Sequence, residues 1–356
     1  MSSVATRLIH WHKHDGRHHL PWQGSRDPYA IWLSEIMLQQ TQVATVIPYY
    51  QRFMQRFPTC QSLALAPLDD VLALWSGLGY YARARHLHQA ARSVMQDYHG
   101  NFPQQQELIQ QLPGIGRSTA AAIAVFAFGE RCAILDGNVK RVFARYAGIG
   151  GYPGTVKIQN LLWQKAHEYL PERNARQPIE IYTQALMDLG ATVCTRSKPL
   201  CTACPLQQDC VGFRENRVAQ FPAPKPHKSQ PKKETLFLML LNQKQILLEK
   251  RPTTGVWGGL WCPPEIMAGE DIARYCAQQY GLDARLVADM PPLDHTFTHF
   301  KLRIHPQLCH VVSAAASPQQ HTRWMTLEQA LQAAIPTPVR KLLRQLILSA
   351  EGSVVS

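Results

Sequence analysis

The sequence predicts two unlike domains, an all-α one followed by an α+β one. Three observations predict this. Almost nothing before residue 190 alternates as a strand does, while apolar residues recur at helical spacing between proline and glycine breaks. Four cysteines, Cys194, Cys201, Cys204 and Cys210, close that region in a C-x6-C-x2-C-x5-C run. After a basic, proline-rich linker over 217–233 the pattern changes to short apolar runs split by turn residues. The expected domains are 1–216, with the cysteine run at 194–210, and 234–356.

Charge and cysteine content bound the function classes. The 356 residues hold 37 Lys and Arg against 25 Asp and Glu, a net charge of +12, and the sequence pI is about 9.4. Such an excess favours a polyanionic partner, nucleic acid ahead of a membrane surface. No run of 18 apolar residues exists, so no membrane-spanning helix is expected. Residues 1–19 carry His and Arg and lack the apolar centre of a secretory signal. An intracellular, reducing compartment is expected, where the nine cysteines are thiols or metal ligands rather than disulfides.

Asp27-Pro28 reads as the N-cap and first position of a helix running to about Gln39. Along it Ile31, Glu35 and Leu38 share a face with Trp32, which sets a carboxylate on an apolar stripe. Burial disfavours the ionised form, so its pKa should rise toward the range of a general acid near neutrality. A glutamate at the stripe's edge, paired with an arginine, would leave the same pattern. Gln39-Gln40-Thr41-Gln42 follows, four uncharged side chains that suit base edges better than phosphates, or form a polar junction. A helix to about Phe57 is expected to bend or restart at Pro48, and residues 63–75 are helical with a break at Pro67. Ser76-Gly77-Leu78-Gly79-Tyr80-Tyr81 is a glycine-punctuated turn ahead of a helix bearing Arg83, Arg85, His86, His88 and Arg92. Aromatics beside basic groups fit base stacking with phosphate contact, and the charges alone also fit a solvated face.

Leu112-Pro113-Gly114-Ile115-Gly116-Arg117-Ser118 reads as a tight hairpin between a helical arm at 104–111 and a helix from Thr119 to Gly129. The glycines let the backbone turn and hold no side chain against a ligand. The new helix opens with unpaired N–H groups, a seat for a phosphate. Asp136 follows 20 residues after Gly116 and would return a carboxylate to that neighbourhood. Helices at 138–147, 155–170 and 178–190 complete the region. Four cysteines within 17 residues make a metal site; spacing alone does not separate zinc from iron–sulfur, and a single run leans to a cluster. Beyond 233, Thr235–Leu241 and Ile246–Glu249 form a hairpin around Asn242-Gln243-Lys244-Gln245. Residues 270–280 are helical and end at Gly281, His295–Lys301 alternates as a strand, and 338–349 is helical.

Taken together, these stretches resemble the MutY-type adenine DNA glycosylases of the helix-hairpin-helix superfamily over nearly the whole chain. The resemblance rests on Ser34–Gln42, Gly77–Tyr81, Leu112–Ser118, Leu135–Val139 and the four cysteines. It implies a helix-hairpin-helix glycosylase domain with an iron–sulfur loop and a Nudix-like C-terminal domain. It also implies excision of adenine opposite 8-oxoguanine, or more slowly opposite G, in duplex DNA. By that resemblance Glu35 is the acid that protonates the leaving adenine, Asp136 stabilises the oxocarbenium ion, and Asn138 assists. Trp22, Gln23, Leu38, Val43 and Gln184 match the adenine pocket. Gln40, Thr41, Leu78 and Tyr80 match positions that fill the vacated stack and contact 8-oxoguanine, and Gly114, Gly116 and Ser118 belong to the DNA-binding hairpin. The four cysteines match ligands of a [4Fe–4S] cluster, structural in role, and the protein is expected to be cytoplasmic, with the nucleoid, and monomeric.

Two positions depart from related patterns. Glycosylase-lyases of the superfamily carry a lysine two residues after the hairpin's last glycine; here it is Ser118, which cannot form a Schiff base. Arg274-Tyr275-Cys276-Ala277-Gln278-Gln279 lacks the glutamates of a working Nudix helix, leaving magnesium no carboxylate cage. The C-terminal domain therefore reads as an 8-oxoguanine sensor using Phe297, Thr298 and His299, with Thr298 where the family usually has serine. The competing readings are a sister glycosylase for mismatched thymine, uracil or oxidised pyrimidines, a DNA-binding module with a decayed site, and nucleotide-pool hydrolysis by the C-terminal domain.

Overall fold

The computed structural model describes residues 3–172, 178–226, 229–314 and 321–352. In chain order its helices are α1 (Val4–Asp15), α2 (Pro28–Leu38), α3 (Val43–Arg56), α4 (Cys60–Leu65), α5 (Leu68–Trp75), α6 (Ala82–Asp97), α7 (Gln106–Ile109), α8 (Arg117–Phe128), α9 (Gly137–Tyr146), α10 (Val156–Glu168), α11 (Ile179–Asp188), α12 (Val211–Arg214), α13 (Ile272–Tyr280), α14 (Leu327–Gln332) and α15 (Thr337–Gly352). The strands are β1 (Lys232–Asn242), β2 (Gln245–Lys250), β3 (Trp261–Cys262), β4 (Glu265–Ile266), β5 (Leu282–Asp289), β6 (Leu293–Thr296), β7 (Lys301–Ala314) and β8 (Thr322–Thr326). Among the described residues no helix is long and apolar enough to cross a membrane.

The chain forms two compact units, residues 1–65 with 86–227, and residues 66–85 with 228–356. The expected contiguous division at 216 and 234 is thus corrected in one place: 66–85 packs with the C-terminal unit. Ser76 Oγ donates to Ile335 O at 2.6 Å, Arg340 Nη2 donates back to Ser76 Oγ at 2.8 Å, and Lys250 Nζ meets Asp69 Oδ1 at 2.6 Å. Residues 227 and 228 of the linker lie outside the described residues.

The first unit is helical, as its punctuation requires. Asp27 caps α2 by accepting from the Tyr29 N–H at 3.0 Å, with Pro28 at the first position. Trp32 and Leu33 of α2 are fully buried, and α2 packs on α8. α8 ends at Gly129, left-handed at φ 69. α3 runs through Pro48 as one helix rather than restarting there. Buried Val46, Tyr50 and Phe53 anchor it on both sides, which offsets the hydrogen bond that proline removes. α11 continues as a π-helical turn, Leu189–Val193, into the cysteine run.

The second unit holds an eight-stranded sheet with spine order β3-β2-β1-β7-β5. β1 and β7 run parallel, with Leu236 opposite His305, and β1 turns into β2 through Gln243-Lys244. Leu238, Leu240, Leu247, Ile266, Cys276, Ala284 and Val311 form its core, which α13 closes through Cys276. Gly281 ends α13 in the left-handed region, φ 65. The expected strand over 295–301 stops at Thr296: residues 297–300 are the turn between β6 and β7, pinned by Phe297 N–H to Phe300 O at 2.9 Å.

Candidate active site

A cavity of about 410 Å³ opens in the first unit. All eight residues expected for catalysis and base binding line it: Glu35 and Leu38 from α2, Val43 from α3, Trp22 and Gln23 from the α1–α2 loop, Asp136 and Asn138 at the start of α9, and Gln184 from α11. Thr41, expected on the opposite-base side, lines it too.

Glu35 sits one turn from fully buried Trp32, with a little of its surface facing the cavity. Burial first, and the charge of Asp136 second, push its carboxyl up to about 8. Asp136 is the N-cap of α9 and accepts the Val139 N–H at 2.7 Å. Burial raises its pKa, while the Val139 and Asn138 N–H groups and the Arg141 and Lys140 charges oppose the rise. One carboxyl is thus unsupported and proton-holding; the other is backed by a helix start and two cations. Asn138 Oδ1 accepts from Arg141 Nη2 at 2.8 Å, and Arg141 also donates to Gly190 O at 2.6 Å and Cys194 O at 2.7 Å.

The hairpin is formed as read. Gly114 is left-handed, φ 77, and a Cβ there would meet His86 Cβ at 2.6 Å. Gly116 is the extended N-cap of α8, and a Cβ there would meet nothing within 4 Å. Ser118 has an internal partner: its Oγ accepts the Leu135 N–H at 2.9 Å, tying the start of α8 to the segment that delivers Asp136. Gln40 is exposed at φ 57, strain of the kind functional turns hold.

The remaining expected contacts lie in the second unit. Leu78 is buried, whereas Tyr80 is left-handed and 46% exposed. Tyr80 Oη and Thr298 Oγ1 are 3.2 Å apart, so that unit brings these two together by itself. Phe297 stacks on Phe300 at 4.5 Å and packs against His295 and Trp257, while Thr298 and His299 are exposed at the turn.

Cys194, Cys201, Cys204 and Cys210 line one small cavity walled by Arg145, Pro199, Phe213 and Val218. Buried Arg145 donates to Cys194 Sγ at 3.3 Å and to Thr195 O at 2.7 Å. No three His, Cys, Asp or Glu among the described residues are gathered to hold a single ion. Four cysteines on one cavity wall are a donor set that fits either zinc or an iron–sulfur cluster. Sequence reasoning missed Arg141, Arg145 and the Asp188 network. The signal for Asp188 was its place four residues after Gln184 on one helix.

Fold and site together describe a base-excision glycosylase. A family model for the HhH-GPD superfamily of base excision DNA repair proteins matches residues 33–168, and one for the NUDIX domain matches 235–345. The chain is 38% identical to the adenine DNA glycosylase of Buchnera aphidicola subsp. Baizongia pistaciae over 95% of each chain. It is 34% identical to that of Homo sapiens over 95% of this chain and 72% of the human one. The structure of a thermostable thymine-DNA glycosylase, 30% identical, superposes with a TM-score of 0.53 over 59% of this chain and 95% of that one. The chain belongs to the adenine DNA glycosylase family. It is a DNA N-glycosylase of base excision repair.

Proposed function

We propose that this protein excises adenine lying opposite 8-oxoguanine in duplex DNA, and more slowly opposite G, without cutting the strand. The carrying observation is the pair of unlike carboxyls in one cavity, Glu35 pushed up to about 8 and Asp136 backed by a helix start. The adenine leaves the stack to reach them. Glu35 gives its proton to a ring nitrogen of adenine, the C1′–N9 bond breaks with its electron pair going to the base, and Asp136 stabilises the oxocarbenium ion. Water adds at C1′ and its proton returns to a carboxylate, leaving an abasic site. Ser118 offers no amine, so no Schiff base and no β-elimination follow through this residue.

Cys194, Cys201, Cys204 and Cys210 would hold a [4Fe–4S] cluster that shapes the loop carrying Arg196 and Lys198 for the DNA backbone; hydrolysis needs no redox step. Thr298 and Tyr80 would meet 8-oxoguanine, as their hydroxyls already meet each other. The protein would act inside the cell, as a monomer. Thymine excision is the second reading, raised by the thymine-DNA glycosylase fold, but that match covers 59% of this chain, whereas adenine glycosylases match 95%. Alkali-revealed cleavage of duplexes with A opposite 8-oxoguanine, G, C and T, and T opposite G, tests the choice. Cleavage of the T strand and not the A strand would reverse it.

A further inference from the structure

We propose that Trp257 is a positioning residue that holds the turn at 297–300, and with it Thr298 and His299, in the form that meets 8-oxoguanine. This deepens the reading of the C-terminal unit as a sensor of the damaged base and rests on it.

The first observation is backbone strain. Residues 251–260 close into a loop: the Arg251 N–H donates to Leu260 O at 2.9 Å, and the Gly259 N–H donates to Pro252 O at 3.0 Å. Three of its residues are left-handed, Gly255 at φ 83, Trp257 at φ 55 and Gly259 at φ 78. Glycine takes that conformation at little steric cost; a bulky side chain does not. The loop thus sets its largest side chain where the backbone least favours one, and the contacts of the ring must offset the strain.

The second observation is where that ring goes. Trp257 is only 7% exposed. Its ring lies 6.2 Å from that of Phe237 in β1, 5.9 Å from His295 in β6 and 5.5 Å from Phe297. Phe297 stands edge-on to His295 at 4.6 Å and stacks on Phe300 at 4.5 Å, with Lys233 Nζ 5.0 Å from the Phe300 ring. These are separations that aromatic pairs prefer. A column of rings therefore runs from fully buried Phe237 to the turn, and Trp257 joins its sheet end to its turn end. The amide of Gln230 holds the turn loosely, with Nε2 3.4 and 3.3 Å from the Phe297 and Thr298 carbonyl oxygens. Thr298 and His299 are exposed, so the rings that flank them, Phe297 and Phe300, fix their places. 8-Oxoguanine differs from guanine by one oxygen and one ring N–H, so a hydroxyl displaced by about 1 Å no longer makes the distinguishing hydrogen bond.

The test pairs hydrogen exchange over 295–301 with single-turnover excision of adenine opposite 8-oxoguanine and opposite G, in the full chain. Trp257→Asn removes the ring and supplies a residue that tolerates positive φ. It should speed exchange at the Phe297 and Lys301 amides, which donate to Phe300 O and Pro231 O, while the Leu238 amide in the core stays protected. Excision opposite G should hold near the wild-type rate, and the advantage opposite 8-oxoguanine should fall about tenfold. Trp257→Phe keeps an aromatic ring and should restore most of that advantage. Unchanged exchange at the turn in Trp257→Asn would overturn the proposal, and so would a Trp257→Phe variant no better than Trp257→Asn. Faster exchange at the turn with the advantage intact would instead sink the sensor reading, and the recognition half of the proposal with it. Should Trp257→Asn also strip Leu238 of protection, the unit has come apart, and Trp257→Leu, which keeps an apolar side chain, decides by the same measures.

Discussion

At the scale of single residues, Glu35 is the proposed acid, and its burial carries a cost. Its folded pKa of about 8 stands above an ordinary value of 4.5. The acid form therefore prevails below 8, and excision should fall as pH rises through 8. The sign for stability follows from the same numbers. Between 4.5 and 8 the native state binds a proton that the unfolded chain has released, so this group's contribution to stability declines as pH rises across that window. Glu35→Gln should lose excision while keeping duplex binding. It should melt above the wild type at about pH 9 and show no such advantage near 4.5. Retained excision in Glu35→Gln would remove the acid assignment, and an equal Tm at both pH values would remove the burial argument. Ser118 makes a second prediction here: borohydride should trap no covalent DNA adduct, and Ser118→Ala should slow excision by freeing the Leu135 N–H that steadies the approach to Asp136. Glu35 was legible because its apolar neighbours lie one turn away on the same helix. The Arg17 grip on Asp188 was not, because the partners stand 171 residues apart and only the folded chain joins them.

At the scale of elements, local chemistry made most boundaries legible. Pro28 after Asp27 starts α2, and Gly129 and Gly281 end α8 and α13 by entering the left-handed region that side chains avoid. Where tertiary packing outweighs local preference, a helix need not stop at a breaker: α3 does not restart at Pro48. The π turn after α11 has no local signature, yet it places Gly190 against the start of α9. A Cβ at Gly190 would stand 2.7 Å from Asn138 Cβ. Overpacking of this kind costs about 1–3 kcal/mol. Gly190→Ala should therefore displace Asn138 and the neighbouring Asp136, lowering the excision rate at least about tenfold while duplex affinity changes little. The check is single-turnover kinetics beside equilibrium binding; equal loss of both would mean general unfolding instead.

At the scale of the whole molecule, the linker and the pattern change after 233 revealed two units, but not that 66–85 crosses from one stretch of sequence to the other unit. That grouping depends on contacts such as Arg340 to Ser76 and Arg85 Nη1 to Gly258 O at 2.7 Å, which no periodicity predicts. It has a consequence for any chain cut in the linker. A protein ending at residue 226 would keep Glu35, Asp136 and the four cysteines but strip Ser76, Asp69 and Arg85 of their partners. It should melt lower than the full chain and lose its preference for 8-oxoguanine over G, because Thr298 leaves with the C-terminal unit. Loss of preference alone could follow from loosening of the Gly77–Tyr81 turn. The full chain carrying Thr298→Ala separates the causes: it should melt with the wild type, since Thr298 is exposed, and still excise adenine opposite G. Its rate or affinity advantage opposite 8-oxoguanine should fall by about five- to tenfold, the worth of one hydrogen bond of about 1 kcal/mol. An unchanged advantage in Thr298→Ala would assign recognition of the damaged base to the first unit and leave the C-terminal unit as support for residues 66–85.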